Sequence, residues 1–131
     1  MKNFIFLTLS FVLLAGCNNG KVQLGGKITF SDDGSPVPQG TIVFVQDAFQ
    51  ATGTIQADGS YVVGSLSEKD GLPPGNYAVW LYGVTEVLPG ESERSLIDAK
   101  YESAETSGLT VQVDSSTKNY DLKLDRNPKK K

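Results

Sequence analysis

Between Val22 and Leu124 the apolar residues return at every second position, and that period decides most of what the chain can become. Side chains two apart share one face of an extended strand, whereas a helix needs them three and four apart. Val22, Leu24, Ile28 and Phe30 fall on one face, with Gln23, Lys27 and Thr29 on the other. Ala51, Gly53, Ile55 and Ala57 alternate with Thr52, Thr54 and Gln56. Asn76 to Tyr82 alternates again; Leu109, Val111 and Val113 form a further strand, and Tyr120, Leu122 and Leu124 the last. Thr41 to Val45 is an unbroken β-branched and aromatic run, as expected for a strand central in a sheet or buried on both faces.

The punctuation between these segments agrees with strands. Asp32-Asp33-Gly34-Ser35-Pro36 and Pro38-Gln39-Gly40 cannot lie inside a helix. Asp58-Gly59, ahead of Tyr61-Val62-Val63, predicts a hairpin with a type I′ turn, in which both central residues take positive φ. Asp70-Gly71-Leu72-Pro73-Pro74-Gly75 predicts a rigid turn outside the ladder, since Pro73 and Pro74 carry no amide donor. The stretch from Glu91 to Tyr101 fits either a turn of helix or a long crossover loop. About seven short strands with turns between them predict an all-β, Greek-key β-sandwich.

The first residues follow another pattern. Lys2 precedes an apolar run from Phe4 to Leu14, interrupted by Thr8 and Ser10. A bilayer span needs about 20 apolar residues, so this run fits a secretory signal instead. It ends in Leu14-Ala15-Gly16-Cys17, which resembles the lipobox of bacterial lipoprotein precursors. The thiol of Cys17 would form a thioether with diacylglycerol, and small residues before it would admit the peptidase. Cys17 is the single cysteine, so no internal disulfide can form, and acylation removes a thiol that would be a liability in an oxidising compartment. The resemblance implies two or three acyl chains, and two anchor stably where one does not. Asn18 rather than aspartate after the cysteine favours the outer membrane, in a host that sorts lipoproteins as enteric bacteria do. The expected organisation is a signal peptide over residues 1–16, a lipidated tether over 17–21, a β-sandwich over 22–125 and a basic tail over 126–131.

Charge and composition narrow the chemistry. Without Lys2 the chain holds 11 basic and 15 acidic residues, which argues against nucleic acid as a partner. There is no histidine, so the commonest general base and metal ligand is missing. Acids at Asp58 and at Asp32-Asp33 stand in turn motifs, whereas a calcium site needs six to eight oxygens in close register. Plain turns are the expectation, with no metal and no cofactor. Glu91 and Glu93 are close in sequence, but nothing places them in a dry cleft with separated pKa values. Catalysis is not expected.

Two groups of residues invite a binding role. Trp80 and Tyr82 share a strand face with Ala78, and such a ledge could stack on sugar rings. The sequence favours the alternative, that they form half of the sandwich core. Tyr77, Val79 and Leu81 occupy the opposite face, so one of the two must be less buried. The second group is Arg126, Lys129, Lys130 and Lys131, four positive charges after a body that, up to Asp125, has 7 basic and 15 acidic residues past the leader. With an odd number of antiparallel strands the tail should lie at the pole opposite the lipid, either merely solvated or touching an anionic polymer or a partner's acidic patch.

The motifs also resemble a family. Gly26-Lys27-Ile28-Thr29-Phe30 with Gly34 to Val45 is similar to the first hairpin of carboxypeptidase regulatory-like domains, which have a transthyretin-like sandwich. Ala51 to Tyr61 is similar to their second hairpin, and Leu72-Pro73-Pro74-Gly75-Asn76-Tyr77 to the lead into a later strand. Ala99-Lys100-Tyr101 with Thr106 to Val111 resembles small bacterial lipoproteins built of little else; Asp98 departs from the proline such chains would carry. The resemblance implies a non-catalytic structural or protein-interaction module displayed from a membrane in the cell envelope. Enzymes on the related fold use histidine, which this chain lacks. A carbohydrate-binding module for envelope polysaccharide, using Trp80 and Tyr82, is the alternative.

Overall fold

A computed structural model describes residues 21–64 and 71–128. Among the described residues nine strands follow in order: β1 Gly25–Phe30, β2 Thr41–Gln46, β3 Phe49–Thr54, β4 Ser60–Gly64, β5 Gly75–Tyr82, β6 Thr85–Glu86, β7 Arg94–Ser95, β8 Leu109–Val113 and β9 Leu122–Leu124. Seven of them form one curled sheet in the order β8-β5-β2-β3-β4-β1-β9, and β6 and β7 pair separately. These seven are the strands expected from the sequence, five by alternation, β2 by its unbroken apolar run and β4 by the Asp58-Gly59 turn ahead of it. β2, β3 and β4 follow one another as neighbours, and β1 lies beside β4, which is the Greek-key arrangement.

The curl turns at β4. Residues 60–62 pair with β1, whereas Val63 and Gly64 pair with β3. A larger layer, β8-β5-β2-β3, therefore faces a smaller one built on β1 and β9. Phe44 joins them: its ring lies 6.2 Å from Tyr61, 6.5 Å from Tyr77 and 6.1 Å from Tyr120. Such aromatic pairs add about 0.5–1.5 kcal/mol each beyond the area they bury. Ile28, Ile42, Val63, Leu72, Val79 and Leu81 complete a fully buried interior around them. Gly53 makes room for this packing, since a Cβ there would stand 3.2 Å from the Tyr61 ring and 3.0 Å from the Val62 carbonyl.

Three local expectations change. The Asp58-Gly59 turn is not type I′. Gly59 alone takes a left-handed φ of 86°, and its N–H bonds the Gln56 carbonyl at 2.9 Å. Ala57 and Asp58 keep ordinary φ, and Gln56 N bonds Ser60 O at 2.8 Å, so this is a type I turn closed by a glycine bulge. Asp58 itself accepts from the amide and the hydroxyl of Ser60, 3.0 and 2.6 Å, and those bonds hold its carboxyl below the ordinary range. Secondly, the last strand is not antiparallel to its neighbour: β9 runs parallel to β1, with Ile28 opposite Leu122 and Phe30 opposite Leu124. Because it runs parallel to β1, β9 ends at the pole where β1 ends. Thirdly, the crossover contains both a short strand and a helical turn. A single 3-10 turn, Ala99–Glu102, follows β7. Asp98 caps it, its carboxylate accepting from Lys100 N at 3.0 Å, which supplies a physical reason for an acid at that position.

Candidate functional site

β5 decides the fate of its two aromatic faces by what packs against each. Tyr77, Val79 and Leu81 are buried in the interior. Trp80 is therefore not a core residue: it stands on the other face with Asn76, Ala78 and Tyr82, partly exposed, and Tyr82 keeps 49% of its surface. The reason is register. Trp80 lies opposite Val43 and Tyr82 opposite Thr41, and β2 turns Ile42 and Phe44, not Val43, toward the interior. Val43 is nonetheless fully buried, covered on the outside between Trp80 and Thr52.

Across the layer, cross-strand pairing sets out this outer face in rows. One row runs Thr110, Ala78, Val45, Gln50; the next Trp80, Val43, Thr52, Gly64; the next Tyr82, Thr41, Thr54; and Gln112 lies opposite Asn76. Not one Asp, Glu, Lys or Arg is among them, although charged residues make up 21% of the chain. The two rings stand 5.6 Å apart at an interplanar angle of 39°.

The hydroxyl of Tyr82 differs from the other four. Tyr61 donates to the Tyr120 carbonyl, Tyr77 to Pro73 O at 2.6 Å, Tyr101 to Asp125 Oδ2 at 3.2 Å and Tyr120 to Thr110 O at 3.3 Å. Desolvation raises the pKa of Tyr61, Tyr77 and Tyr120. Tyr82 Oη and Trp80 Nε1 have no protein partner among the described residues. The same holds for the side chains of Thr41, Thr52, Thr54, Asn76 and Gln112. The face thus offers two rings and a set of uncommitted, uncharged hydrogen-bonding groups.

Of the basic group, Arg126 lies among the described residues. Arg126 is not a free charge: Nε bonds Asp32 Oδ2 at 2.8 Å, Nη2 bonds Asp33 Oδ2 at 3.0 Å and Ser35 Oγ at 2.9 Å, and the guanidinium stacks 3.7 Å over the Phe30 ring. Its partners lie more than 90 positions earlier in the chain, beyond the reach of any local motif. Asp32-Asp33-Gly34 is accordingly a turn that receives an arginine. Asp33 falls to about 2, chiefly through the Ser35 hydroxyl and amide and then through Arg126. Beside it, Ser31, Lys100 and Tyr101 hold Asp125 down. Cys17, residues 1–16 and Lys129, Lys130 and Lys131 lie outside the described residues.

At the opposite pole, Val22, Leu24, Val62, Pro74 and Lys118 line an open hollow of about 550 Å³ with no carboxylate in its wall. Glu91 and Glu93 are both exposed, and Glu93 accepts from Thr85 Oγ1 at 2.5 Å. Among the described residues no group of three or more acids, histidines or cysteines could hold a metal ion, and no helix is long and apolar enough to cross a membrane.

A solved structure of the major pilin subunit BcpA of Bacillus cereus, in a D312A form, has a similar fold. The TM-score is 0.50 at 13% identity, over 82% of this chain and 30% of that one. The chain therefore spans less than a third of that pilin's length, and the likeness is one of fold. No protein-family model and no curated protein matches the chain.

Proposed function

We propose that the chain is an exported lipoprotein, anchored through acylated Cys17, whose β-sandwich is a non-catalytic structural or interaction module of the cell envelope. The observation that carries the reading is Leu14-Ala15-Gly16-Cys17 placed just ahead of a sandwich whose first and last strands run in parallel. Such a domain stands on its anchor at one pole and presents the other. The fold likeness to a major pilin subunit supports a role at the cell surface. We read the sandwich as carboxypeptidase regulatory-like, because its motif segments fall on β1–β2, on the β3–β4 hairpin and on the lead into β5.

Labelling cells with an alkyne palmitate tests the anchor. Wild type takes the label and Cys17→Ser takes none, accumulating as an uncleaved or soluble form; equal labelling of both forms would end the reading. A density gradient then assigns the membrane, with the outer one expected in a Gram-negative host. The tail has a separate test. Deleting Lys129 to Lys131 leaves melting unchanged and weakens retention on purified envelope material at low salt, because exposed charges are screened beyond about 8 Å at physiological ionic strength. Equal retention of both forms reduces the three lysines to a solubility feature.

A further inference from the structure

We propose that the outer face of the β8-β5-β2-β3 layer binds a neutral polysaccharide chain, with Trp80 and Tyr82 as the stacking platform. The proposal goes beyond the envelope reading and does not depend on the lipid anchor.

Three observations converge. The first is the exposed ring pair itself, 5.6 Å between centroids, on a strand whose other face already supplies the core. A pyranose ring presents an apolar C–H face and a polar edge, which is the complement of an indole or phenol with open surface around it. The second is the Tyr82 hydroxyl, uncommitted where the other four tyrosines donate within the protein. Thr41 opposite Tyr82, Thr52 one strand farther on beyond Val43, and Asn76 farther along the strand have equally uncommitted side chains, so sugar hydroxyls would meet both donors and acceptors. The third is charge. Among the described residues this face has no lysine or arginine with which to pair an anionic polymer, and no carboxylate to supply the two acids that glycoside hydrolysis normally needs. The chemistry is binding without cleavage, and the ligand is neutral.

A protein partner fits less well. An ordinary interface takes about 800 Å² from each side, with a buried apolar centre. Here the rings form a small apolar centre with Ala78 and Val45 beside it, Val43 is already fully covered, and the rest of the surrounding surface is mostly threonine, glutamine and asparagine.

Trp80 is the single tryptophan of the chain, so its emission reports this face alone. Full-length protein in detergent is titrated with cellohexaose, maltohexaose, mannohexaose, xylohexaose and chitohexaose, with polygalacturonate as the anionic counterpart. The expected result is a saturable change in Trp80 emission with at least one neutral hexaose, the same at low and high salt. Tyr82→Ala then weakens binding about tenfold, roughly the loss of one aromatic contact, while leaving the melting temperature unchanged. Tyr82→Phe keeps the ring and removes the hydroxyl, and falls between the two. Silence across all five neutral hexaoses overturns the proposal. So does stronger, salt-sensitive binding of polygalacturonate, and so does a Tyr82→Ala variant that binds as wild type.

Discussion

Tyr77 and Tyr82 lie on one strand, five positions apart, and meet different surroundings. Tyr77 is 1% exposed, its ring at an edge to Phe44 and Phe49 and its hydroxyl bonded to Pro73 O. Tyr82 is half exposed, leans on Trp80 and has no hydrogen-bond partner among the described residues. β5 is amphipathic in position while being apolar on both faces, so composition does not reveal which face is inside. What separates them is the neighbour: Ile42 and Phe44 of β2 point inward and carry Val79 and Leu81 with them, leaving Trp80 opposite Val43 and Tyr82 opposite Thr41 on the outer face. Burial on a strand of this kind belongs to the sheet and not to the residue.

Substitution on the two faces breaks or sharpens that contrast. Tyr77→Ala carries the largest effect, about 3–5 kcal/mol as for a buried aromatic, read from urea unfolding. Trp80→Ala is expected to cost about 1 kcal/mol, the usual scale for a partly exposed site, because it uncovers Val43 without opening the interior. Equal costs for the two variants would mean that the outer face is packed against something, and the contrast would fail. The smallest effect lies at the far pole, where polar groups are tied together in the open. Asp33 is depressed from 3.8 to about 2, so its contribution to stability is complete above pH 3.8 and is lost as the pH falls toward about 2. Because the Ser35 bonds are the larger cause, Ser35→Ala should raise the Asp33 midpoint in a carboxyl NMR titration more than Arg126→Gln does. The opposite order would make the arginine the main cause.

Much of this fold was legible in the sequence. Period two marked five strands of the main sheet, the Asp58-Gly59 turn marked β4, and the unbroken run Thr41 to Val45 announced a central strand, which β2 is, between β3 and β5. The failures share a cause. Asp58-Gly59 gave a hairpin but not its turn type, because only Gly59 needed the left-handed region. The β2–β3 hairpin closes over Asp47 and Ala48, with Asp47 at φ 49° and no glycine to mark it. The parallel partner of β9 and the acids that receive Arg126 both lie over 90 residues away, beyond the reach of any local pattern. For the candidate site, the sequence supplied Trp80 and Tyr82 as a pair and could not choose their face. Nor could it show that Thr41 would lie opposite Tyr82, with Thr52 one strand farther on the same face.

The pairing of β1 with β9 has a mechanical consequence. The two strands lie side by side, point the same way and stand next to the chain's two described ends, Lys21 and Pro128. Tension applied between those ends runs along the strands and not across them. It loads Lys27 N–Asp121 Oδ1, Ser31 N–Leu124 O and the Arg126 ion pairs in shear and at the same moment, where a hairpin pulled from its open end would release its bonds one after another. A domain fastened at one end and tugged at the other would yield there all at once or not at all.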